Sequence, residues 1–187
     1  MRIKAALVVS MLLAASVAGA QEVSDTSDAA PATSDSGRFR FGINGLGGLE
    51  SVSGGGASVS GPMFGIDLRL GWQLNDLLAI YAEPHLSFGS LGNGGIVSGG
   101  TGTFIGTVMG EATFNDRFFA GAGIGYGVLN NPSGFAIQAR GGFYPLMGRG
   151  DDGVRRKGLM IGVDFRSVFV DGATGILVTG AIGYEAF

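Results

Sequence analysis

The stretch Phe64-Gly65-Ile66-Asp67-Leu68-Arg69-Leu70-Gly71-Trp72-Gln73 decides the fold. Phe64, Ile66, Leu68, Leu70 and Trp72 fall on one parity, and Gly65, Asp67, Arg69, Gly71 and Gln73 on the other. Successive side chains of a strand point to opposite faces, so this spelling separates a greasy face from a polar one. On a helix, Asp67 and Arg69 would interrupt the apolar stripe.

The same period runs through seven other segments. Residues 38–47 set Phe39, Phe41 and Ile43 against Arg38, Arg40, Gly42 and Asn44. Residues 77–89 set Leu78, Ile80, Ala82, Leu86 and Phe88 against Tyr81, Glu83, His85 and Ser87. Residues 102–114 oppose Phe104, Val108, Ala112 and Phe114 to Thr103, Thr107, Glu111 and Thr113. In 118–128, Phe118, Ile124 and Tyr126 alternate with a glycine run. Residues 135–144, 158–169 and 175–187 follow suit, with Arg140, Asp164, Arg166 and Glu185 on their polar faces. Segments of about 10–13 residues suit a tilted strand crossing a bilayer, which needs ~9–11 residues in hydrocarbon. Pro84 removes a ladder donor and predicts a bulge or break inside its segment. Gly/Ser-rich stretches 48–61 and 90–101 read as long outer loops and 145–157 as a long inner turn, with tight turns at 75–76 and 115–117.

Composition narrows the classes. The 187 residues include 37 Gly, one His and no Cys, with 45% hydrophobic content and mean hydropathy +0.36. That hydrophobic content argues against disorder, and no Gly-X-Y period marks a collagen. Without Cys there is no disulfide framework or thiolate site, and His85 alone excludes a multi-histidine centre within one chain. No metal and no cofactor are expected. Residues 1–20 read as a secretory signal peptide: basic Arg2 and Lys4, apolar Ala5 to Val17, then Ala18-Gly19-Ala20 before a cut at Gln21. Residues 21–37 carry Glu22, Asp25, Asp28 and Asp35 and no base, and read as a disordered acidic periplasmic tether. Residues 38–187 hold ten basic against eleven acidic residues, a near-neutral body that gives no reason to expect nucleic acid.

Alternation alone fits two architectures: a soluble barrel or sandwich with the apolar face inside, or a membrane barrel with that face toward lipid. Four features favour the membrane. The polar faces hold small residues and no Lys, where a water-facing sheet would carry Lys as an edge guard. The charges on those faces balance, Arg40, Arg69, Arg140 and Arg166 against Asp67, Glu83, Glu111, Asp164 and Glu185, as enclosed charges must. Aromatics gather at segment ends, Phe64, Phe88, Phe104, Tyr126 and Phe135 at one and Phe41, Trp72, Phe114, Phe118 and Phe143 at the other, like interfacial girdles. The leader gives access to an outer membrane. The expectation is an all-β, eight-stranded antiparallel up-and-down transmembrane barrel over 38–187. Phe64, Ile66, Leu68, Leu70, Trp72, Ile80, Val163 and Phe165 would face lipid. Arg40, Asp67, Arg69, Glu83, His85, Glu111, Arg140, Asp164, Arg166 and Glu185 would form a lumen charge network.

At this point the chain resembles the small eight-stranded outer-membrane barrels of the OmpA/OmpX-like class. The resemblance covers 38–187. It rests on the leader, the eight segments, Gly121-Ala122-Gly123-Ile124-Gly125-Tyr126-Gly127, and the aromatic Phe187 in last position. It implies outer-membrane localisation, contact with outer-membrane lipids, a monomer, and recognition of Phe187 by the barrel-assembly machinery. The pattern departs at the third-last position, where Glu185 replaces the usual apolar residue. Tyr184 and Phe187 also lie on opposite parities, which suggests a bulge near the end.

For function, the lumen charges read as a salt-bridge plug in a non-enzymatic barrel with a structural or weak binding role. The alternatives are a narrow pore or small-hydrophobe transporter, and a lipid A-modifying enzyme. Glu83, His85 and Ser87 share one face of one segment and invite a hydrolase or acyltransferase reading. Residues in a row on one strand do not converge as a triad requires. Arg149-Gly150-Asp151 spells an adhesion tripeptide in an inner turn, where chance is the better explanation. Arg155, Arg156 and Lys157 read as a solvated turn.

Overall fold

The computed structural model describes residues 37–93, 96–149 and 155–187. The leader, nearly all of the acidic tether, and Gly150 and Asp151 of the adhesion tripeptide lie outside the described residues. Eight antiparallel strands form a closed barrel: β1 (Arg38–Gly54), β2 (Ala57–Gln73), β3 (Leu78–Asn93), β4 (Ile96–Phe114), β5 (Phe118–Leu129), β6 (Ser133–Arg149), β7 (Arg156–Val170) and β8 (Ala173–Ala186). Each strand pairs with its sequence neighbours, and β1 closes on β8 from Phe41 opposite Ala186 to Gly54 opposite Ala173. Closure leaves no open edge, the condition hydrocarbon sets for a sheet. We call the end bearing Arg38 and Phe187 the inner end, and the opposite end the outer.

The strands are longer than alternation alone predicts. Residues 48–61 are not a loop: β1 and β2 continue to a tight turn at Gly55 and Gly56, both at positive φ, as a hairpin of this hand demands. Residues 90–101 likewise belong mostly to the β3–β4 hairpin, with an irregularity between Leu91 and Gly92. The inner connection shrinks because β6 runs to Arg149 and β7 starts at Arg156. Glycine and serine break up the hydrophobic period in 48–61 and 90–101, so the outer extensions are silent in the sequence.

Pro84 causes no bulge. It sits opposite Gly106, and register with β2 is the same on either side of it, although pairing lapses where Leu68 and Arg69 face Glu83 and Pro84. The bulge lies instead at Tyr144-Pro145, between the Phe143–Ile161 and Leu146–Leu159 pairs. No bulge precedes Phe187 either. Its ring stays on the lumen parity of Glu185 and is buried, while Tyr184 faces out.

The greasy parity faces outward all round the barrel. Phe64, Ile66, Leu70, Trp72, Ile80, Val163 and Phe165 are exposed, and Leu68 is half-exposed. Aromatics form two rings. Phe64–Phe88, Tyr126–Phe135 and Phe135–Phe169 are cross-strand pairs of the outer ring. Phe39–Trp72, Phe114–Phe118 and Phe118–Phe143 belong to the inner one. On β2, β5 and β6 the rings stand eight residues apart. That is about 26 Å of strand, or about 20 Å of height at a ~40° tilt, on the scale of the ~25 Å apolar band of outer-membrane barrels.

Candidate functional site

Neighbouring strands deliver charges to one level of the lumen because their polar parities are in register. Arg140 of β6 faces Asp164 of β7, and Asp67 of β2 faces His85 of β3. All ten residues of the expected charge network are buried.

The network is continuous. Arg40 donates to Gln73 at 3.0 Å, to Tyr144 at 2.9 Å and to Glu185 at 2.5 Å, and also pairs with Glu111. Arg69 bonds Glu83 at 2.7 Å and pairs with Glu185. Arg140 reaches Tyr81 and Glu83, each at 3.2 Å, and lies 3.4 Å from Glu111. Arg166 donates to Asp67 at 2.7 Å and to Glu83 at 2.9 Å. Gln138 donates to Glu83 and, at 3.3 Å, to Asp164, while Thr107 donates to Gln138 at 2.8 Å. Glu83 is the hub, touching three arginines and one amide. Arginine serves such a hub because its planar fork meets several carboxylates at once.

Two local groupings resemble chemical sites. Oxygens of Asp67, Glu83 and Asp164 gather within 4.8 Å, a spacing that would suit a cation. The Arg166 guanidinium already stands among them, 2.7, 2.9 and 3.7 Å from one oxygen of each. Arg69 and Arg140 also pair with Glu83, so three arginines meet the three carboxylates from within the chain. The second is a hydrogen-bonded series in which His85 Nδ1 meets Asp67 at 2.7 Å and His85 Nε2 meets the Ser87 hydroxyl at 2.9 Å. The acid is Asp67 on the adjacent strand, not Glu83 on the same one. Convergence thus arises across two strands, which the spelling of one strand could not reveal. All three residues are at most 1% exposed.

Apolar layers flank the charges. Met63, Ile105, Leu129, Ala136, Val168 and Leu177 form one cluster toward the outer end. Phe119, Tyr144, Met160 and Phe187 belong to another toward the inner end, with Leu46 and Ala181. Arg40 lies 4.5 Å over the Phe187 ring and Arg140 4.5 Å over Phe119, so both cations rest on aromatic faces. Ile105, Met109, Met160 and Leu177 sit on the polar parity, and the periodicity gave them no place in the lumen. Gln73, Tyr81, Gln138 and Tyr144 complete the network from that same parity. At the inner rim Arg156 is buried, pairing with Asp76 at 3.1 Å and Asp116 at 2.7 Å, so it braces two turns rather than lying in a solvated one. At the outer mouth, Glu50 is buried and accepts hydrogen bonds from Thr101 and Thr103.

The chain matches no protein-family model and no curated protein. Its fold has solved counterparts. Ail, the attachment invasion locus protein of Yersinia pestis in complex with the heparin analogue sucrose octasulfate, superposes with TM-score 0.59 at 12% identity, over 79% of this chain and 98% of that one. Neisserial surface protein A superposes with TM-score 0.51 at 10% identity, over 78% of this chain and 95% of that one. The chain thus has the fold of the small eight-stranded outer-membrane β-barrels.

Proposed function

We propose that this chain is a monomeric integral outer-membrane barrel that contacts outer-membrane lipids and has a structural or weakly binding, non-enzymatic role. Its lumen is closed by its own charges. One observation carries the reading: four buried arginines and five buried carboxylates are joined across the bore into a single network. An eight-stranded barrel has room for side chains and little else. Export rests on the leader, and delivery to the assembly machinery on Phe187, recognised before its ring docks beneath Arg40. The outer rim favours no polyanion of the kind held by Ail. Residues 48–61, 89–102, 129–135 and 169–175 carry Glu50 and Asp171 and neither Lys nor Arg. The test is a heat-modifiability gel on outer-membrane fractions. A band that shifts on boiling is expected, and recovery of the protein from soluble periplasm would refute the location.

A second reading, an acyl hydrolase acting on lipid A, is favoured by the Ser87–His85–Asp67 series. Against it stands burial, because all three side chains are at most 1% exposed, out of reach of an acyl ester. Replacing Ser87 or His85 with Ala is expected to leave the mass spectrum of lipid A unchanged. Loss of a deacylated species would establish the enzyme.

A further inference from the structure

The lumen charges compensate one another, but Glu50 does not belong to that network. It is 2% exposed, and its oxygens accept from two neutral hydroxyls, Thr101 at 3.0 Å and Thr103 at 2.9 Å. Among the described residues no Lys or Arg pairs with it. Burying an uncompensated carboxylate is costly, and two hydroxyl donors offset only part of that cost. The fold nevertheless places it beside a cavity of about 220 Å³ at the outer mouth. Glu50, Thr101, Thr103 and Asn130 supply the polar lining. The remainder is apolar, chiefly Val52, Leu91, Leu129 and Val170, and Leu129 also belongs to the outer apolar cluster below. The space equals about seven waters at ~30 Å³ each. One anionic group, neutral donors and acceptors around it, and a greasy remainder describe the complement of a small cation with an apolar body. The rim around it adds acid and no base, so the local field favours a cation.

We propose that the outer mouth is a binding site for a small organic ammonium, its cation on Glu50 and its apolar body against Leu129 and Val170. A simple metal cation fits less well, because among the described residues Glu50 alone is charged in a lining that is mostly hydrocarbon. The site stands above the charge network and does not depend on whether the lumen conducts.

The test is titration of the protein, purified from membranes in detergent micelles, with phenethylammonium and with the neutral isostere 2-phenylethanol, followed by amide NMR. Saturable shifts confined to residues around Glu50, Thr103 and Asn130 are expected with the ammonium. The alcohol should bind at least roughly tenfold more weakly, and Glu50→Gln should lose a similar factor. A heat-modifiability gel checks that the variant is folded. If it is not, Val170→Phe, which fills the apolar side, supplies the second variant and should abolish the shifts. Equal binding of alcohol and ammonium, undiminished binding by Glu50→Gln, or full displacement by equimolar sodium would each overturn the proposal. So would shifts spread evenly over the lipid-facing surface, which would signal micelle partitioning.

Discussion

Single residues in the lumen act through what they leave behind when removed. Arg166 stands among Asp67, Glu83 and Asp164. Arg166→Met would leave buried Asp67 without its arginine and take one of three arginines from Glu83, and breaking a buried pair in this way costs about 3–5 kcal/mol. Urea unfolding in micelles should show a loss of that size. Adding Asp67→Asn removes one stranded charge, so the double variant should lose less than the sum of the singles. Strict additivity would mean that the two groups do not interact. Gly127 makes a different residue-scale claim. A Cβ there would lie 2.9 Å from both Val168 methyls and 3.3 Å from Ile105. Gly127→Val should therefore overpack the outer apolar cluster and cost about 1–3 kcal/mol. A neutral result would show slack in that cluster.

At the scale of the strand, each element has one face for lipid and one for the lumen, and depth sets the penalty for error. Leu68 lies midway between Phe64 and Trp72 on the outward parity of β2. Leu68→Arg is expected to cost about 2–4 kcal/mol in bilayer refolding, and Trp72→Arg at the inner ring about 0–1. Equal penalties would mean that no hydrocarbon slab surrounds the barrel. This face was legible in the sequence because lipid demands grease at every second position, and β2 spells it without exception from Phe64 to Trp72. The strand extensions were not legible. From Ser51 to Ser60 the chain is Ser, Gly, Val and Ala, which alternate nothing, and only the two-glycine turn marks the hairpin. The charges of the lumen could be read from parity, but their partners could not. Asp67 meets His85 through cross-strand register, and register is a property of two strands. Ile105 and Leu177 were hidden for another reason. The rule that separates greasy from polar parity assumes a uniformly polar lumen, whereas this one is layered.

That layering governs the molecule as a whole. From the outer mouth inward, the bore passes the Glu50 cavity, the apolar cluster of Ile105, Val168 and Leu177, the arginine–carboxylate network, and the aromatic cluster of Phe119, Tyr144 and Phe187. An ion would have to dehydrate at the first apolar layer, displace bonded charges at the next level, and dehydrate again at the inner end. Constrictions of this kind block by dewetting as well as by charge. Planar-bilayer recordings of the unaltered protein should therefore show at most small, rare openings. Arg140→Ala alone should not open the bore, because both apolar layers remain. Combining it with Ile105→Gly thins one barrier while loosening another, so it should raise the frequency of openings above either single change. Steady, large conductance in the unaltered protein would mean that the lumen is open. An unchanged double variant would mean that the remaining layers seal the bore without help from charge. The two outcomes separate the roles of hydrocarbon and salt bridge, because the double variant removes one cation from the network and one side chain from the outer apolar layer.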